Sequence, residues 1–258
     1  MHLPDPTFPP LFTGHPVKAP DRPFKRACRG AEAGAFGAGD FLWAKRADRV
    51  DCAIVLEPEI SGARLYEMLF TAMVAFGDAV GATAPPEVAV TYLWPQTIRV
   101  NGAAAGTVRI AWSARGDEAG APIWLVIGLD CWIRRTHDAR DPGLNLDETD
   151  LFEEGCGELD RTQIIESFAR HFLSWIDTWD ADGFAAVHRD WLGRADRHKE
   201  HIALDYAGKP VEGLFLGLDD AGNMLLKTGD GVAQLRVAEA LAPEEVLLAD
   251  VDGAMQTS

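Results

Sequence analysis

Residues 93–112 read LWPQTIRVNGAAAGTVRIAW, and this stretch decides the fold. Asn101-Gly102 sits between two runs of alternating apolar residues. That is the strongest short-range signal for a β-hairpin, because both central residues of such a turn need a positive φ. Val88, Val90 and Tyr92 alternate on the way in, and Val108, Ile110 and Trp112 on the way out. Strand side chains point to opposite faces in turn, so each strand has one face fit to bury.

Trp94-Pro95 precedes the turn and Gly106 follows it. In this the stretch resembles the central hairpin of the biotin/lipoate protein ligase family, where a Trp-Pro pair precedes the turn and Lys-x-x-Gly follows. Ala103 stands at the lysine position. The family's Lys-Trp-Pro-Asn-Asp motif has become Leu93-Trp94-Pro95-Gln96-Thr97, so lysine, asparagine and aspartate are all replaced.

Working outward, Phe24 to Ala44 reads FKRACRGAEAGAFGAGDFLWA. Gly30, Gly34, Gly37 and Gly39 suggest a flexible loop that lets backbone N–H groups approach a ligand. The resemblance places here the family's Gly-Arg-Gly-Arg loop ending in tryptophan, with Trp43 matching that tryptophan. The arginines are absent; Arg29, with Glu32 three residues on, opens the glycine run. Cys52 to Leu56 reads as a buried strand. Ser61 reads as the N-cap of an amphipathic helix carrying Leu65, Met68, Leu69, Ala72, Met73, Phe76 and Val80. Ile123 to Gly128 is another buried strand. The family ends the matching strand in Gly-x-Gly-x-Asn beside the acyl chain; Gly128 remains, and Trp132 would reshape the pocket.

Asp160 caps a helix with Ile164, Ile165, Phe168, Phe172, Trp175, Ile176 and Trp179 on one stripe, and a second helix follows Gly183. From Ile202 the pattern changes to short strands with turn signals every eight to ten residues. This part resembles the SH3-like C-terminal domain of biotin ligases, including the Gly-x-Asp-x-x-Gly-x-Leu-Leu run at 217–226. The resemblance runs in order from residue 24 to 241. It implies an α/β (α+β) fold: a class II synthetase/biotin-ligase-like mixed sheet with helices, plus a small SH3-like β barrel. The expected organisation is a Pro-rich arm over 1–23, a ligase-type domain over 24–201 and the barrel over 202–250.

The 258 residues carry a net charge of −16. So acidic a surface repels phosphate backbones and anionic lipid, which argues against nucleic-acid and membrane binding. No run approaches eighteen apolar residues and no signal-peptide pattern opens the chain, so a cytoplasmic protein is expected. Cys28, Cys52, Cys131 and Cys156 are widely spaced, which favours reduced thiols. The histidines give no metal constellation; His198-x-x-His201 lacks a third ligand in sequence, and His137 with Asp138 and Asp141 reads as loop.

The resemblance implies activation of a biotin or lipoate carboxylate with ATP and transfer of the acyl group to a carrier lysine. Two anions must meet in that reaction, so cations have to neutralise them. Losing one such donor costs about 3 kcal/mol, and here several are missing. The sequence therefore predicts a retained pocket frame without ordinary adenylation, binding a small acyl-type ligand or a carrier domain. The frame comprises Arg29, Gly30, Glu32, Gly39, Trp43, Trp94, Pro95, Asn101, Gly102, Gly106, Gly128 and Trp132. ATP and Mg²⁺ enter only under the alternative, an active ligase or transferase with a cation relocated to Arg29, Lys45 or Arg99. Cys131 falls where octanoyl transferases present a cysteine, but without the lysine partner it reads as structural. A third reading is an interaction module on the acidic loop 138–160.

Overall fold

The computed structural model describes residues 3–135 and 146–241. His137, Asp138, Asp141, the first part of the acidic loop and the barrel expectation beyond 241 fall outside them. The described chain runs β1 (Thr13–Val17), α1 (Pro23–Glu32), β2 (Asp40–Ala44), β3 (Arg49–Leu56), a 3₁₀ turn (Gly62–Tyr66) and α2 (Glu67–Gly81). Then come β4 (Val90–Leu93), β5 (Thr97–Val100), β6 (Ala103–Trp112), β7 (Leu125–Trp132), α3 (Arg161–Asp182) and α4 (Phe184–Gly193). Strands β8 (His201–Tyr206), β9 (Lys209–Leu218), β10 (Met224–Thr228) and β11 (Gly231–Leu235) and the short α5 (Val237–Ala240) complete it. Among these residues β1-β2-β3-β7-β6-β5-β4 form one mixed sheet and β11-β10-β9-β8 a second, antiparallel one.

The hairpin forms as its sequence dictates. Asn101 (φ 48°) and Gly102 (φ 92°) make the turn between β5 and β6. The incoming run, however, is two strands. The chain reverses at Trp94-Pro95-Gln96, so Val90 pairs with Val100 and Leu93 with Thr97.

The glycine-punctuated stretch 24–44 is not a loop. Pro23 opens α1 after an extended Arg22, and Ala27, Cys28 and Ala31 bury one face. Proline suits the first helical turn because its missing donor would be unpaired there anyway. Gly30 lies inside the helix for steric room rather than flexibility: a Cβ there would sit 2.1 Å from the Phe36 ring. Trp43 belongs to β2. Part of the proline-rich N-terminal stretch also joins the sheet, since β1 pairs in parallel with β2 at the edge. An edge strand tolerates Pro16.

Ser61 makes no cap bond, and α2 starts only at Glu67. This helix is buried nearly all round, from Glu67 to Val80 apart from Asp78, because it lies between the sheet and the α3–α4 pair. Its expected amphipathic stripe is overridden by that two-sided packing. Asp160 does cap α3, in a reciprocal box with Gln163. The helix-covered face of the sheet and these three helices share one apolar core, containing Phe41, Phe76, Ile98, Val108, Ile127, Phe168 and Phe172.

The C-terminal sheet is fastened to this body. Trp94 Nε1 donates to the Gly222 carbonyl at 2.9 Å, and Arg99 Nη1 donates at 2.5 Å to Asp196 in the segment that leads from α4 to β8. Gly222 (φ 79°) accepts no side chain, because a Cβ would lie 2.3 Å from the Phe70 ring. No helix among the described residues is long and apolar enough to cross a membrane.

Candidate functional site

The second face of the large sheet is covered only in part. Helix α1 packs Ala27, Cys28 and Ala31 on Leu42, Ala53, Val55, Ala111 and Val126. Beyond the helix N-terminus the same face turns polar. Asp51 lies opposite Asp130, and Asp130 opposite Thr107, so all three side chains share that face. Both carboxylates are buried, at 3% and 6% exposure.

Two like charges side by side in a low dielectric need cations between them. Arg22, the residue before α1, supplies one: its Nε donates to Asp51 at 2.6 Å and its Nη2 donates to Asp130. Arg49 donates to the other oxygen of Asp130, with its guanidinium 4.0 Å above the Trp132 ring. Arg109 Nη1 comes within 3.9 Å of Asp130. Burial pushes the Asp51 carboxyl above its ordinary value, Asp130 adding to the push and Arg22 opposing it. Next along the sheet, Phe24 of α1 packs against Gly128; a Cβ at Gly128 would be 2.5 Å from its ring. The face expected to hold an acyl chain is thus filled by an aromatic ring and a salt-bridge network.

The sequence reading expected this face to lack positive charge. That expectation is corrected: Arg22, Arg49 and Arg109 all reach it. Arg49 and Asp51 alternate with Val50 and Cys52 in β3, and Asp130 interrupts the apolar β7. Charged residues at alternate positions of a buried strand signal cross-strand pairing, and that signal could have found them.

The sequence-derived frame is dispersed. Gly128 and Trp132 belong to this face. Trp43 (2% exposed) and Trp94 (5%) are buried in the opposite, helix-covered core, and the Arg161 guanidinium lies 4.6 Å over the Trp43 ring. Pro95 stands in the β4–β5 turn. Gly106 permits close strand approach, since a Cβ would sit 2.5 Å from the Asp130 carbonyl. Asn101 and Gly102 form the exposed β5–β6 turn, where Asn101 donates to Glu154 at 2.9 Å. Arg29 pairs with Asp21 on the outside of α1, and Glu32 accepts from Trp124 at 2.8 Å and pairs with Arg115 at 2.7 Å. Gly30 is covered by Phe36, and Gly39 (φ 86°) by the Leu11 carbonyl.

The candidate relocated cations are engaged elsewhere: Arg29 with Asp21, Lys45 with Asp5 and Arg99 with Asp196. Cys131 is fully buried on the core side, and burial pushes its thiol far above the ordinary range. A nucleophile needs an accessible thiolate, so Cys131 is structural. All four cysteines are free and buried.

The sequence model of the Biotin/lipoate A/B protein ligase family matches residues 8–193, and that of the Biotin protein ligase C terminal domain matches 200–241. The chain belongs to the biotin/lipoate protein ligase family. It is 26% identical over 199 residues to a biotin–acetyl-CoA-carboxylase ligase of Paracoccus denitrificans, covering 76% of this chain and 81% of that protein. It is 22% identical to a bifunctional ligase/repressor BirA of Bacillus spizizenii, of which the match spans only 56%. Among solved structures, a biotin protein ligase-like protein of unknown function from Silicibacter superimposes with a TM-score of 0.81 at 38% identity, covering 92% of this chain and 99% of that one. A mutant biotin protein ligase from Aquifex aeolicus in complex with biotin gives 0.71 at 13% identity, covering 89% and 97%. This last likeness concerns the fold: the mixed sheet and C-terminal β unit of the ligase family carry this chain's own residues on the α1 face.

Proposed function

We propose that this family member binds a small acyl-type ligand or a carrier domain and does not activate a carboxylate with ATP. One observation carries the loss of activation: Phe24 covers Gly128 while the adjacent guanidinium of Arg22 is taken up by Asp51 and Asp130; ligand or carrier binding rests on the family scaffold. An incoming carboxylate and triphosphate would meet two buried carboxylates, and the family's lysine position is occupied by Ala103. Among the described residues, Arg22 and Arg49 on this face are bound to the protein's own acids and Arg109 alone is loosely held, which does not fit a nucleotide triphosphate with Mg²⁺.

The test is pyrophosphate exchange with biotin, lipoate or octanoate, joined to calorimetry with the same acids and their adenylates. No exchange above blank is expected, and Ala103→Lys should not restore it, because Phe24 and Arg22 still occupy the face. Robust adenylate formation by the unaltered protein overturns the reading.

The convergence of Arg49 and Arg109 favours a second reading, an acyl-protein ligase or transferase in which Arg109 replaces the lysine. Arg109 makes the loosest contact with Asp130. Acyl transfer to a carrier domain that disappears in Arg109→Ala, with folding intact, would establish it.

A further inference from the structure

A second cleft lies away from that face, between the 3₁₀ turn before α2, the far end of β6 with the loop that follows it, and the C-terminal sheet unit. Its volume is about 590 Å³, within the roughly 300–1,000 Å³ usual for small-molecule sites, which favour junctions between structural units. One wall is aromatic: Tyr66 and Trp112 meet edge to face at 5.4 Å between ring centroids. Arg115 and Arg236 stand on the rim, 61% and 68% exposed.

The charge around this cleft departs from that of the whole protein. Asp and Glu make up 40 of the 258 residues, yet none is among the residues lining the cleft, and its charged lining is these two arginines. Each has an acidic neighbour outside the lining: Glu32 at 2.7 Å from Arg115, and Glu239 at 3.7 Å from Arg236. Both are solvent-exposed pairs, worth about 0–1 kcal/mol, so an entering anion can compete for either guanidinium. A guanidinium has five N–H donors in a planar fork suited to carboxylate or phosphate. Tyr66 and Trp112 supply apolar, polarisable area for a flat ring. Gly62 (φ 62°), Gly116 and Gly120 (φ 82°), with Ala63, Ala114 and Ala238, keep the remaining rim low.

We infer that this cleft binds a planar aromatic anion, its ring against Trp112 and its charged group between Arg115 and Arg236. The site shares no residue with the Gly128 face, so it stands or falls independently of the proposed function.

The test follows the tryptophan indole N–H resonances of the full chain by NMR, with that of Trp112 identified as the one lost in Trp112→Phe. Adenosine monophosphate and 2-naphthoate are the probes; neutral adenosine and inorganic phosphate are the controls. The expected result is a saturable shift of the Trp112 signal by at least one probe, the tighter of the two naming phosphate or carboxylate as the anionic group. Affinity should fall about fivefold in Arg236→Ala and again in Arg115→Ala, and binding should vanish in Ala238→Trp, which fills the rim. Arg236 is exposed, so its removal leaves the fold intact. The proposal is overturned if neither probe moves the Trp112 signal, if adenosine binds as tightly as its monophosphate, or if phosphate alone matches both probes.

Discussion

The two faces of the seven-stranded sheet are built on opposite rules. The face under α2, α3 and α4 is predominantly apolar, with polar contacts such as Arg161 over Trp43 and Arg194 on the Tyr92 hydroxyl at its margins. The face under α1 begins the same way, with Ala27, Ala31, Ala53 and Val126, then passes to Phe24 on Gly128 and to five charged side chains in one network. The first face stabilises by removing area from water. The second gives part of its area to buried charge, which contributes little net stability but fixes one geometry.

Four substitutions bear on this contrast. Phe76→Ala, in the helix-covered core, should cost about 4 kcal/mol in urea unfolding, since the side chain is fully buried. Asp130→Ala should cost about 3 kcal/mol by leaving Arg22 and Arg49 short of their shared partner. An Asp130→Ala protein as stable as the parent would show that the network is not holding α1 in place. Phe24→Ala should cost less, about 2 kcal/mol, because the ring is only partly buried. It should also raise the affinity for octanoate if Phe24 is what closes the face, and unchanged calorimetric titrations would refute that role.

The smallest effect belongs to Asp48. Hydrogen bonds from Arg46 hold its carboxyl below the ordinary value, with burial opposing them. Such a group stabilises the fold above the usual carboxylate pKa, and the contribution is lost as pH falls through the depressed value. Asp48→Asn should therefore be less stable than the parent by under about 1 kcal/mol at pH 7. The difference should shrink to nothing in strong acid; one that grew on acidification would reverse the assignment.

Where the sequence misled, local composition stood in for packing. The 24–44 stretch has the glycine content of a loop, but Gly30 is there because Phe36 presses on the helix. Trp43 and Trp94 read as pocket walls, yet alternation along β2 and the turn at Pro95 turn both into the core. Arg22 and Asp51 were invisible as a pair because 29 residues separate them, and no local pattern reports a contact across that distance. Asp130 was legible only as an oddity in an apolar strand.

By itself the sequence determined the Asn101-Gly102 hairpin, the capped helix after Asp160, the four-stranded unit after Ile202 and the absence of a lysine at Ala103. These follow from φ preferences, capping chemistry and residue identity, all of which act within a few residues. Only the tertiary structure decided which face each strand turns toward α1, that Phe24 lies on Gly128, and that three guanidinia gather around two buried carboxylates. Those outcomes depend on strand register and on how far each charge lies from water, and both are set only when distant segments pack together.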